Sequence, residues 1–138
     1  MPGNSIPIYS KVGKINWNAA NITAANTAKD GTGTVDTVFT ADATNGSFVQ
    51  KIVVRPKGTN VATVMRVFLN NGSTNATAAN NSLLGEIGLP ATTLSEVAAI
   101  AGQEVPINFA LPPGYKLNVV IGTAVAAGFA VNVIAGDY

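Results

Sequence analysis

No cysteine and no histidine occur in this chain. Disulfides, thiolate nucleophiles, the usual zinc ligands and the one side chain that titrates near neutrality unperturbed are therefore excluded. Charge is scarce as well, with 11% of residues Asp, Glu, Lys or Arg, about half the share of an ordinary soluble domain. Eight basic residues nearly cancel seven acidic ones, leaving +1. With no cluster of four or more basic residues, the electrostatic footprint of a nucleic-acid binder is missing. Long apolar runs are lacking too. Val119 to Ala135, the longest candidate, contains Thr123, Asn132 and glycine, and reads as two strands and a turn rather than the ~20-residue span of a membrane helix. Met1-Pro-Gly-Asn-Ser has neither the basic start nor the apolar stretch of a signal peptide. The lack of cysteine suits a reducing compartment.

What is present is neutral and small. The 138 residues suffice for one domain with one core. Polarity is carried mainly by 15 Asn and 14 Thr, and 21 Ala supply much of the hydrophobic fraction. Such a surface suits close packing against something else. Residues 1–29 form an N-terminal arm or extended segment, interrupted by Pro2, Gly3, Pro7 and Gly13, and residues 30–138 form the folded domain. The arm carries Ile6, Ile8, Tyr9, Val12, Ile15 and the only tryptophan, Trp17, more anchors than a disordered tail needs. Two readings fit these anchors equally: Ile15, Trp17 and Ile22 form an edge strand on the domain's own core, or they make an intermolecular contact.

From Asp30 onward the pattern is that of short strands between turns. Thr34 to Thr40 alternates, with Val35, Thr37 and Phe39 on one face. Asn45-Gly46 is a hairpin-type turn signal. Phe48 to Arg55 places Phe48, Ile52 and Val54 together and ends at Pro56. Val61 to Leu69 is rich in β-branched and aromatic residues and stops at Asn70-Asn71-Gly72. An Asn/Thr/Ala loop from Ser73 to Ser82 precedes a strand from Leu83 to Leu89. Ala91 to Ala101 is ambiguous between helix and strand and is read as a strand. Val105 to Leu111, Tyr115 to Thr123 and Phe129 to Ile134 complete the set, with Pro112-Pro113-Gly114 as a strong turn. The expected fold is all-β, an antiparallel β-sandwich of jelly-roll or Greek-key type.

The motifs carry little chemistry. Five Asn-x-Ser/Thr sequons, at Asn21, Asn45, Asn71, Asn75 and Asn80, follow from the composition. Asp30-Gly-Thr-Gly33 lacks the Gly-Lys-Ser/Thr of a phosphate loop and no helix follows it. The acidic residues are scattered, with no Asp-x-Asp cluster to hold a hard cation and nothing to select a catalytic pair. No Ser has a His or a Ser-x-x-Lys partner to activate it. We therefore expect no enzyme, no cofactor and no metal. Arg55, Lys57 and Arg66 read as a solvated sheet face. Only four lysines stand from residue 29 to residue 116, both ends included, so the strand edges have little of the charge that usually guards them. Identical neighbours or a large partner are expected to cover part of the surface.

The run Asp30-Gly-Thr-Gly-Thr-Val-Asp-Thr-Val-Phe-Thr40, with Asn45-Gly-Ser and Gly58-Thr-Asn-Val-Ala-Thr-Val-Met-Arg-Val-Phe-Leu-Asn-Asn-Gly72, resembles a family of small virion proteins of tailed bacteriophages. The stretch Gly85-Glu-Ile-Gly-Leu-Pro-Ala-Thr-Thr-Leu-Ser-Glu96, the ending Leu111-Pro-Pro-Gly-Tyr-Lys116, Gly122-Thr-Ala and Gly136-Asp-Tyr138 resemble the same family. The resemblance covers roughly residues 20 to 138, and its motifs are turns and strands. It implies a non-enzymatic capsid decoration, or cement, protein. Such a protein would be made in the bacterial host cytoplasm, bind the major capsid protein on the capsid exterior and form a homo-oligomer, with a trimer favoured. Ile6, Ile8, Tyr9 and Trp17 are the expected capsid contacts, as apolar anchors in grooves of the shell. No contact with nucleic acid or membrane is expected. The alternatives are a tail or fibre module binding host-surface glycan, and a carbohydrate-binding domain from a larger enzyme system.

Overall fold

A computed structural model describes residues 10–138. Eight strands form two four-stranded antiparallel sheets: β1 (Val12–Trp17), β2 (Asp36–Thr40), β3 (Ser47–Pro56), β4 (Thr63–Asn70), β5 (Asn81–Leu89), β6 (Gln103–Leu111), β7 (Lys116–Ile121) and β8 (Phe129–Asp137). One sheet has the order β1-β8-β3-β6 and the other β2-β7-β4-β5. First pairs with last and so on inward, β1 with β8, β2 with β7, β3 with β6 and β4 with β5. The chain is thus one long antiparallel ribbon, rolled so that β3 also meets β8 and β4 also meets β7. Among the described residues the one short helical turn, Ala78–Asn80, is of the 3-10 type. Among the described residues no helix is long and apolar enough to cross a membrane.

The all-β sandwich agrees with the sequence reading, and the core lies between the sheets. Phe39, Val49, Ile52, Val54, Met65, Leu117, Val119, Ile121, Phe129, Val131 and Val133 are all buried there. These side chains come from both inner faces, as alternation requires.

Four details differ from the sequence reading. Alternation breaks at bulges, where one strand carries an extra residue. In β2 the register shifts between Thr37 and Phe39, so consecutive Val38 and Phe39 are both buried and Thr37 is exposed. In β3 the shift lies between Val49 and Lys51. Val49 therefore joins Ile52 and Val54 inside, and Phe48, expected there, turns outward and is half-buried.

Ala91 to Ala101 is not a strand but a loop touching the sandwich through an Asn60–Thr92 bridge. Its local hydrogen bonding goes to Ser95, whose Oγ accepts from the Val97 and Ala98 N–H groups at 3.2 Å each, the turn-type competition expected of serine. Asn45-Gly46 does make a tight turn, with Gly46 at φ 77°, but it joins strands of opposite sheets instead of closing a hairpin.

Last, the folded unit does not begin at residue 30. Val12–Trp17 pairs with β8 along its whole length, and Ile22 is buried in the core. The segment does form an edge strand, but Ile15 and Trp17 stand exposed on it, and of the three residues only Ile22 packs on the core. Beyond β1, Asn18 stands in for strand backbone. Its Oδ1 accepts from Val131 N–H at 2.8 Å and its Nδ2 donates to Phe129 O at 3.2 Å, which carries the β8 ladder past the end of β1.

Candidate interaction surface

The asparagines that lead the polar residues mostly hold the chain to itself. Asn60 is buried, with its Oδ1 accepting from Ala127 and Gly128 N–H (2.8 and 3.0 Å) and its Nδ2 donating to Gly128 O (3.0 Å). Asn26 donates to Thr32 O and Thr34 O, while Asn75 donates to Gly31 O and Gly33 O. Asn81 donates to Asp30 O and pairs with Asn70. A neutral amide both donates and accepts, so it satisfies loop backbone without the desolvation cost of a charge. These side chains fix the long β1–β2 connection and the β4–β5 loop against one another.

Three ion pairs lie among the described residues. Lys51 meets Glu104 at 3.1 Å and Arg66 meets Glu86 at 3.2 Å. Lys14 lies 3.5 Å from Asp137, donates to Thr40 O at 2.8 Å and sits over the Phe39 ring. Asp137 also accepts from the hydroxyl of the buried Ser47, which in turn accepts from Asp42 N–H at 2.8 Å. This network joins β1, β2, β3 and β8 at one end of the sandwich.

Among the acids, burial raises the Asp36 carboxyl above its ordinary value. Asp42 is lowered by the Asn45 and Thr44 amides, and Asp30 by the Thr32 hydroxyl and amide. Both act as turn caps. Among the described residues no group of three or more acids or other ligands could hold a metal ion.

Apart from Val61 in the β3–β4 connection, the large apolar side chains left exposed among the described residues lie on the outer strands of the two sheets or the loop between β5 and β6. At one margin β1 presents Val12, Ile15 and Trp17, with Trp17 64% exposed. A cleft of about 220 Å³ between β1 and β2 is lined by Ile15, Asn16, Trp17, Thr37, Val38, Phe39 and Thr40. At the other margin β5 and β6 present Leu83, Leu84 and Phe109, and the loop between them presents Leu94 and Val97. Of the expected anchors, Trp17 stands in the open on β1, and Ile6, Ile8 and Tyr9 lie outside the described residues. The second margin was missed in the sequence because its residues read as ordinary strand alternation. Their exposure follows from β5 and β6 being outermost, a fact of strand order.

Compared with family models, curated proteins and solved structures, the chain matches none.

Proposed function

We propose that the chain is a non-enzymatic structural protein of a tailed-phage virion, a jelly-roll decoration protein that binds and stabilises the major capsid lattice as an oligomer, with a trimer favoured. The observation that carries this reading is the pair of apolar margins on a sandwich that is sparsely charged and whose asparagines mostly bind its own loops. A protein meant to stand alone in solvent guards such margins. One that sits between neighbours on a shell leaves them for contact. The rolled-ribbon pairing supports the jelly-roll reading, which requires first-with-last pairing across two sheets. Multivalent attachment then turns weak single contacts into durable capture.

The test is placement on intact particles by electron cryomicroscopy, with copy number measured against the major shell protein. Copies across the whole lattice are expected. A few copies at one vertex would overturn the decoration role in favour of a tail module. The arm is tested by removing residues 1–9, because a longer deletion would strip β1 from its sheet. Loss of shell binding is expected, and undiminished binding would remove the arm from the contact.

A further inference from the structure

Of the four edge strands, three are blunted. β2 and β5 carry bulges next to Val38 and Leu84. β6 has a register shift, Pro106 and the left-handed Asn108 at φ 55°. Such features obstruct a further strand. β1 has none of them: its register with β8 runs unbroken from Val12 to Trp17. Its one central charge, Lys14, is turned inward onto Phe39, Thr40 and Asp137, so it does not guard the edge.

The free edge of β1 is complementary to itself. Asn18 N–H donates to Val131 O, so by antiparallel alternation Lys14 and Asn16 direct their backbone groups to β8. Gly13, Ile15 and Trp17 direct theirs away from it. Their side-chain positions lie on the outer face, opposite Gly136, Ile134 and Asn132 of β8. A second β1 laid antiparallel about a two-fold axis through Ile15 brings Ile15 opposite Ile15 and Trp17 opposite Gly13, twice. Every backbone group of those three residues then finds a partner. Among the described residues nothing lies within 4 Å of where a Cβ on Gly13 would stand, and an indole lying over an edge glycine fills such a space. On the inner face Lys14 falls opposite Asn16, so no like charges meet.

We propose that β1 is a self-association strand: two copies join edge to edge, making one continuous eight-stranded sheet with Ile15 on the two-fold axis. The occupant of this edge is a second copy of the chain. The contact is separate from the virion reading, because it follows from β1 alone. It leaves the β5–β6 margin free for other neighbours, including those of a trimer.

The absence of native cysteine makes cross-linking a direct test in the full chain. Cα atoms of a directly opposed, hydrogen-bonded pair lie about 5.5 Å apart, within disulfide reach. Ile15→Cys is expected to oxidise to a covalent dimer. Ser73→Cys, exposed on the β4–β5 loop, serves as a control for random collision. Trp17→Ala is expected to weaken the dimer at least about tenfold in sedimentation equilibrium with the melting temperature of the protomer unchanged. Amide exchange at Gly13, Ile15 and Trp17 should slow as protein concentration rises. Ile15→Cys cross-linking no faster than Ser73→Cys, or exchange at those amides independent of concentration, would overturn the proposal. Either result is independent of where the protein sits on a particle.

Discussion

The ammonium of Lys14 lies 5.1 Å from the centroid of the Phe39 ring. It thereby ties the first strand of one sheet to the first strand of the other, while its remaining contacts reach Thr40 O and Asp137. A lysine on an edge strand ordinarily faces solvent and repels a neighbouring strand. Here its charge closes the molecule's own margin, and the outer rim of β1 is left apolar.

Lys14→Met should therefore destabilise the fold by about 1–2 kcal/mol, the combined loss of the ring contact and the backbone hydrogen bond. Urea unfolding measures this. Raising salt should affect the parent only slightly, because the side chain is 25% exposed and partly shielded from solvent ions.

Asn60→Ala should be more damaging. It leaves Ala127 N–H and Gly128 N–H without their partner in a buried site, while Gly128 O keeps only the Lys57 N–H as donor, at a cost of about 3 kcal/mol. Asn60→Asp keeps the acceptor but loses the donor and brings a carboxylate towards a carbonyl oxygen, so it should not rescue stability. Thermal melting of the two variants gives the comparison.

The β3 bulge is tested by charge. Val49→Lys should not yield folded protein, because an ammonium would enter the inter-sheet core. Phe48→Lys should fold, since that side chain is on the outer side. Circular dichroism of both variants decides. Simple alternation from Ile52 and Val54 predicts the reverse order.

Asp36 and Asp42 should show opposite pH behaviour. The folded-state pKa of Asp36 lies above its ordinary value of 3.8 because of burial, so ionisation opposes folding above the folded value. Asp36→Asn should melt higher than the parent at neutral pH, with the gap closing as pH falls towards 3.8. Asp42 is lowered by two amide hydrogen bonds, so its contribution is present above the unfolded value and lost as pH falls through the folded one. Asp42→Asn should melt lower at neutral pH, with the gap closing on acidification. Melting curves across the acid range check both signs.

Much of the strand set was legible because Val, Ile, Phe and Thr runs between Gly, Pro and Asn turns leave few alternatives. Val61 to Leu69, Leu83 to Leu89 and Tyr115 to Thr123 were read as strands, and strands run over Thr63–Asn70, Asn81–Leu89 and Lys116–Ile121. Ala91 to Ala101 misled because its apolar content is local, whereas a strand also needs a neighbour with free backbone. The face assignments failed at Val38 and Val49 because a bulge is a property of two strands in register and leaves no mark in one of them. Of the expected contact residues only Trp17 can be placed. Its exposure was not readable, since a tryptophan in an alternating segment serves a core equally well.

By itself the sequence determined that this is a weakly charged all-β chain without thiol or imidazole chemistry. Composition and turn residues act locally and need no partner to have their effect. Only the tertiary structure decided that Val12–Trp17 belongs to the sandwich, that the asparagines bind loops rather than solvent, and that β1 alone of the described edge strands pairs without a register shift. Those outcomes depend on which strand lies beside which, and that choice is made by long-range pairing of residues more than a hundred positions apart, as between Ile15 and Ile134.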